Sequence, residues 1–237
     1  MMYVGSAADG SDLPAVIQGG MGVGVSGWRL ARAVARTGQL GVVSGVALDA
    51  LLARRLQRGD AAGHLRRALA HFPVSAVAER VLQRYFVPGG PPEGRPFRPV
   101  PRLGLRTRRH GQELAVVANF VEVFLAKEGH DGRVGVNFLE KVQLATPAAL
   151  YGAMLAGVDY ILMGAGLPTE IPRLLDTLAA NAPGRLSVAV HGVVTGEQHQ
   201  IVFDLRELLG EIPRPPRRPR LLAIVSSATL AAYLARD

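Results

Sequence analysis

Cysteine is absent from the chain, which excludes disulfides, thiolate metal sites and cysteine nucleophiles. Lysine is nearly absent: only Lys127 and Lys141 occur, leaving arginine as 25 of the 27 basic residues. No long uninterrupted apolar run exists. The most apolar helical window, Leu114 to Ala126, carries Asn119 and Glu122 and is too short to span a bilayer. The first residues, MMYVGSAADGSD, have neither a basic region nor an apolar core, so no secretory signal is read there. A cytoplasmic protein with no membrane partner is expected.

What remains is a globular composition. Of 237 residues, 49% are hydrophobic and 19% charged, enough to bury a large core in a single domain over 1–237. The formal charge of +8 suits anionic ligands such as phosphorylated cofactors. It does not point to nucleic acid, because the arginines are scattered over helix faces. The densest run, Arg214 to Arg220 (RPPRRPR), is broken by proline and lacks aromatics, so it reads as a solvated linker.

The segment Pro14 to Ser26 (PAVIQGGMGVGVS) is the most informative. A short apolar run, Ala15–Gln18, opens into Gly19, Gly20, Met21, Gly22 and Gly24, and Ser26 then precedes a helical pattern with Trp28, Leu30, Ala31, Val34 and Ala35. A strand, a glycine-rich turn and a capped helix bring bare backbone N–H groups close to a ligand.

Strands and helices then alternate. Strands are expected at Ala15–Gln18, Leu40–Ser44, Arg133–Phe138, Asp159–Met163 and Leu221–Val225. Helices are expected from about Gly27 to Thr37, and over Leu48 to Arg84 with breaks near Gly59–Asp60, Gly63 and Pro73. A further helix, Gly111 to Glu128, shows one apolar face of Leu114, Val117, Ala118, Val121, Phe124 and Leu125. Thr146 and Pro147 read as the N-cap and first turn of another, and one more starts near Thr169. Val87 to Pro101 is an extended excursion. Leu186–Val190 and Gln200–Asp204 read as an antiparallel hairpin, so 186–220 forms a hairpin and Pro/Arg-rich insertion. Ser226 or Ser227 caps a last helix carrying Leu230, Ala231 and Leu234.

This alternation predicts an α/β fold with a parallel sheet covered on both sides. An open doubly wound sheet and a closed barrel both satisfy it. Ligand groups should lie beyond the carboxyl ends of the strands in either case. Those ends carry Gly20–Gly22, Ser44, Asn137, Met163–Gly166 and Ser226–Ser227, all but Met21 and Met163 small or amide-bearing.

Three blocks, QGGMGVGVS, VNFLEKVQLATPAALYGAMLAGVDYILMGAGLP and LLAIVSSATLAAYLA, together resemble the nitronate monooxygenase (2-nitropropane dioxygenase) family. That family is related to the FMN-dependent enoyl reductases. The resemblance runs from Pro14 to Asp237 and implies a (β/α)8 TIM barrel, a flavoprotein with FMN over the strand ends. By position it implies that Gly20, Met21 and Gly22 pack against the flavin ring, and that Asn137 hydrogen-bonds the flavin or its ribityl chain. Gly164 leaves room at the fourth strand, Ser226 or Ser227 offers a hydroxyl after the fifth, and Lys141 is a weaker candidate for an anionic substrate or the phosphate. The implied reaction is that of an oxidoreductase oxidising a small alkyl nitronate with O2 to a carbonyl compound and nitrite.

The match ends at five of eight strands, so the resemblance implies the N-terminal part of such a barrel. The family's glycine-histidine segment, which holds its base, and its phosphate-binding turns have no counterpart. His64, His71, His110 and His130 fall beside helices and His191 and His199 in the hairpin, so no catalytic residue and no metal site is named. Glu140 and Asp159 are not assigned either, and Asp159 begins its strand at the opposite end of the sheet. An NAD(P)H-dependent enoyl-thioester reductase on the same scaffold is the alternative activity. A non-catalytic chain whose open sheet exposes unpaired edges, and associates with a partner or as a homo-oligomer, is the alternative of another class.

Overall fold

A computed structural model describes residues 2–4, 13–105, 108–190, 192, 197–210 and 214–235. His191 and Gly196 of the expected hairpin turn lie outside the described residues. The elements in chain order are β1 (Met2–Val4), α1 (Trp28–Ala35), β2 (Gly41–Ser44), α2 (Leu48–Gln57), α3 (His64–Ala70) and α4 (Ser75–Tyr85). They continue with α5 (Arg109–Lys127), β3 (Val134–Leu139), α6 (Thr146–Leu155), β4 (Tyr160–Gly164) and α7 (Ile171–Ala179). The last are β5 (Gly184–Val188), β6 (His199–Phe203), α8 (Leu205–Leu209), β7 (Arg220–Ile224) and α9 (Ala228–Leu234).

The architecture is mixed α/β. Strands β2, β3, β4 and β7 form a parallel sheet in which spatial order follows chain order, with no reversal. Doubly wound sheets have a point where that order reverses; none exists among the described residues. The β5–β6 hairpin is a separate antiparallel pair, as its alternating sequence predicts.

The two faces of the sheet are unequal. Val43, Val134, Val136, Phe138, Ile161 and Met163 join the main core, which includes residues of all helices from α1 to α8. Leu40, Val42, Tyr160, Leu162 and Leu222 form a second buried cluster on the opposite face, with Ile17 and Ile224 packed against it and no helical residue in it. The expectation of helices on both sides is thus corrected: α1 to α8 pack on one. On the other face, Ser44, Asn137, Leu162 and Leu222 stand in one row across four strands, and Val42, Gly135, Tyr160 and Arg220 stand in the row below.

Each margin of the four-stranded sheet carries one further segment, and beyond those segments the sheet remains open among the described residues. At β7, the strand β1 pairs antiparallel, matching Met2 with Ile224 and Val4 with Leu222. At β2, the chain around Ile17 makes one parallel bridge to Leu40. The expected strand Ala15–Gln18 shrinks to that bridge because side chains replace the ladder around it. Gln39 Oε1 accepts from Val16 N at 2.8 Å, and Gln18 Oε1 accepts from Val42 N at 2.9 Å.

Helix α5 departs most from its sequence pattern. A single apolar stripe was expected, yet Glu113 through Val123, with Leu125 and Ala126, are all buried. The reason is the extra helical layer: α1 to α4 pack over the side that would otherwise face solvent, while α6 and β3 hold the other. Thr146 also differs. It is the first residue of α6 rather than its cap, and its Oγ1 donates to Val142 O at 2.9 Å, while Pro147 occupies the first turn as expected.

Candidate functional site

The glycine-rich segment is laid along the outer edge of β2. Gln18 N donates to Leu40 O at 3.0 Å, and Ser44 N donates to Ser26 O at 2.8 Å, so the loop between them is tied to the strand at both ends. Ser26, only 5% exposed, closes the loop internally: its Oγ accepts from Met21 N and donates to Gly19 O, each at 3.1 Å. Gly22 and Gly24 have φ of +80° and +70° and shape the turn up to Val25.

This loop meets the end of β3. The Asn137 side-chain amide donates to Gly20 O at 3.1 Å and approaches Met21 Sδ at 3.4 Å. Glycine is obligatory at position 20, because an added Cβ would lie 2.4 Å from Val42 Cγ1 and 2.9 Å from Val43 O. Asn137 is buried, and its Oδ1 has no hydrogen-bond partner among the described residues. A buried acceptor without a donor carries a desolvation cost that a ligand N–H or O–H would relieve. Beside it, Met21, Val23 and Val25 hold apolar side chains in solvent, Met21 at 63% exposure.

Other expected site residues share this end of the sheet without touching the loop. Gly164 ends β4, its carbonyl accepts from Glu140 N at 2.8 Å, and an added Cβ would sit 3.3 Å from Ile224 Cβ on β7. Ala47 and Ala165, just past β2 and β4, have φ of +54° and +60°. Such strain in residues other than glycine is concentrated where structure serves function. Ser227 Oγ accepts from Leu230 N at 3.2 Å and so caps α9, while Ser226, exposed like its neighbour, precedes the cap. Lys141 is exposed. Gln143 Nε2 donates to Glu140 Oε1 at 3.1 Å, and Glu140 and Glu170 line a small cavity of about 100 Å3 between β3, β4 and the hairpin.

The start of α1 is not an anion site, contrary to the reading of a capped helix facing a ligand. Glu122, on α5 and 3% exposed, accepts from Trp28 N at 2.8 Å through Oε1 and from Arg55 at 2.8 Å through Oε2. A buried carboxylate therefore already satisfies the first N–H of that helix, and a phosphate there would meet like charge. No local pattern around Trp28 points to this partner, which lies 94 residues away.

No described histidine lies at the carboxyl ends of the parallel strands. His130 holds the α5–β3 turn, with Nε2 at 2.7 Å from Ala126 O and Nδ1 accepting from Gly132 N at 3.0 Å. His64 packs edge-on to Trp28, and His71 stacks on Phe124. His110 sits on the first turn of α5 and His199 on β6. Asp159 is structural, as its place at the start of β4 implies: Oδ2 accepts from Lys127 Nζ at 2.5 Å and from Val134 N at 2.9 Å. Among the described residues no cluster of potential metal ligands forms, and no helix is long and apolar enough to cross a membrane. No family model, curated protein or solved structure matches the chain.

Proposed function

We propose that this chain forms the flavin-bearing wall of an FMN-dependent oxidoreductase of the nitronate monooxygenase type, built on a (β/α)8 barrel plan. The observation that carries the reading is the orphaned Oδ1 of Asn137, held beside the Gly19–Met21 backbone at the carboxyl end of β3. Support for the barrel plan comes from strand order that follows chain order, and from helices on one face only. In such barrels the inner face is filled by layers of strand side chains, and the Asn137 and Tyr160 rows lie on the face whose buried cluster holds no helical residue.

The residues present suit the ring of FMN better than its phosphate. Asn137 Oδ1 would accept a hydrogen bond from the ring or the ribityl chain. The backbone at Gly20 and the Met21 side chain would lie along the ring's apolar surface, and Gly164 and Ser226 would border it from β4 and β7. No phosphate cradle is assigned, since Glu122 occupies the start of α1. Bound flavin would supply the electron transfer that a nitronate and dioxygen require, while the protein supplies position and polarity.

The test is direct. Titrate purified chain with FMN by fluorescence quenching, then assay nitrite release from an alkyl nitronate in air. Saturable binding that Asn137→Ala weakens at least tenfold, together with nitrite release, supports the reading. FMN affinity equal in parent and variant refutes it. Anaerobic bleaching of the bound flavin by NAD(P)H, without nitrite release in air, would transfer the reading to the reductase branch.

A further inference from the structure

We propose that the junction of α4 with the 87–101 excursion is a second ligand site, for a small anion bearing an apolar tail, remote from the strand ends. Two cavities meet there and share Arg84 and Arg98. The first, about 300 Å3, lies against α4 and the start of α5; the second, about 410 Å3, runs under the proline-rich excursion. Volumes of this order match small-molecule sites.

The first cavity is cationic. Its one carboxylate, Glu113, is 4% exposed and already saturated: Arg80 binds it at 2.7 Å and 3.3 Å, and Arg109 binds it at 3.0 Å. Arg84 and Arg98 have no carboxylate partner among the described residues. Arg98 is fixed in place, with its N–H on Gln57 Oε1 at 2.5 Å and its guanidinium on Arg84 O at 2.6 Å. The Arg84 guanidinium lies with its Cζ 5.9 Å from the centroid of the Tyr85 ring. Tyr85 also lines this cavity, and its hydroxyl is buried without a hydrogen-bond partner among the described residues. Two guanidinium groups without a carboxylate partner among the described residues, beside a buried phenol, form a donor set for a carboxylate or phosphate.

The second cavity supplies the apolar half. Its walls include Phe86, Val87, Pro92, Pro96 and Phe97. Arg54 packs on the outer ring of Phe97, with Cζ 4.7 Å from the centroid, and keeps that wall upright. An anionic head on the arginine pair would thus place an attached chain along the prolines and phenylalanines.

Calorimetric titration of the full chain at low salt tests this with hexanoate, hexyl phosphate, hexanol and acetate. Hexanoate or hexyl phosphate should bind saturably, with acetate and hexanol at least tenfold weaker. Preference between the first two identifies the head group. Arg84→Gln, which breaks no ion pair among the described residues, should weaken binding by about tenfold, as should Tyr85→Phe. Arg185→Gln on exposed β5 should leave it unchanged. Hexanol binding as well as hexanoate, equal affinity in Arg84→Gln, or an Arg185→Gln loss as large as that of Arg84→Gln overturns the proposal.

Discussion

Asn137 donates a hydrogen bond to the carbonyl of Gly20 at 3.1 Å, across 117 residues of chain. That one bond fixes the glycine-rich loop to the end of β3 and defines the centre of the candidate site. Among the described residues nothing donates to the buried oxygen of the same side chain, so it is a brace on one side and an unfilled acceptor on the other.

Gly20→Ala should lower unfolding stability by about 1–3 kcal/mol, because the new methyl meets Val42 and backbone without room to move. Urea denaturation measures it. A change within error would mean that the loop lies farther from β2 than described.

Asn137→Leu removes the donor to Gly20 O and should cost about 1–3 kcal/mol, the penalty for a buried carbonyl left unpaired. Asn137→Asp leaves an acceptor where the donor was and should be no milder. Parallel urea curves for the two variants decide the point.

Glu122→Gln should destabilise by about 1.5–3 kcal/mol by weakening bonds to Trp28 N and Arg55. Trp28 is the only tryptophan, so its emission reports the site directly. A red shift before the global transition is expected in the variant and not in the parent.

Tyr151 gives a pH signature. Its side chain is fully buried, and burial pushes its hydroxyl pKa up to about 12, while the hydroxyl donates to Asn181 Oδ1 at 2.8 Å. An acid whose folded pKa lies above its unfolded value of about 10 keeps its full stabilising effect below that value. The effect is then lost as pH rises toward 12. Stability should therefore fall between about pH 10 and 12, and Tyr151→Phe should flatten that fall. Absorbance of tyrosinate against pH, compared between the two proteins, provides the check.

Much of this fold was legible in local sequence. Glycine and proline at Gly59, Gly63, Pro73, Gly129 and Gly157 mark helix ends that the structure keeps. β-branched runs mark the four parallel strands to within one or two residues. The meeting of Gly20 with Asn137 was anticipated from their common place at strand ends. What escaped were partners distant in sequence. Gln18 substitutes its amide for a ladder bond to Val42, and Glu122 holds the start of α1. Neither leaves a periodic trace, because each is a single side chain whose role exists only after the layers are stacked. The one-stripe reading of α5 failed for the same reason, since its pattern of valines and alanines does not reveal how many layers will cover it.

Helix α6 crosses α5 so closely that a Cβ on Gly152 would stand 2.0 Å from Val116 O. With helices also stacked behind it, α5 offers water almost no surface along its length. Such a helix cannot be excised, nor can the flanking layers be produced as separate soluble halves. Cutting the gene on either side of it would strand a greasy nineteen-residue rod, and the expected product is inclusion bodies rather than two cooperating fragments.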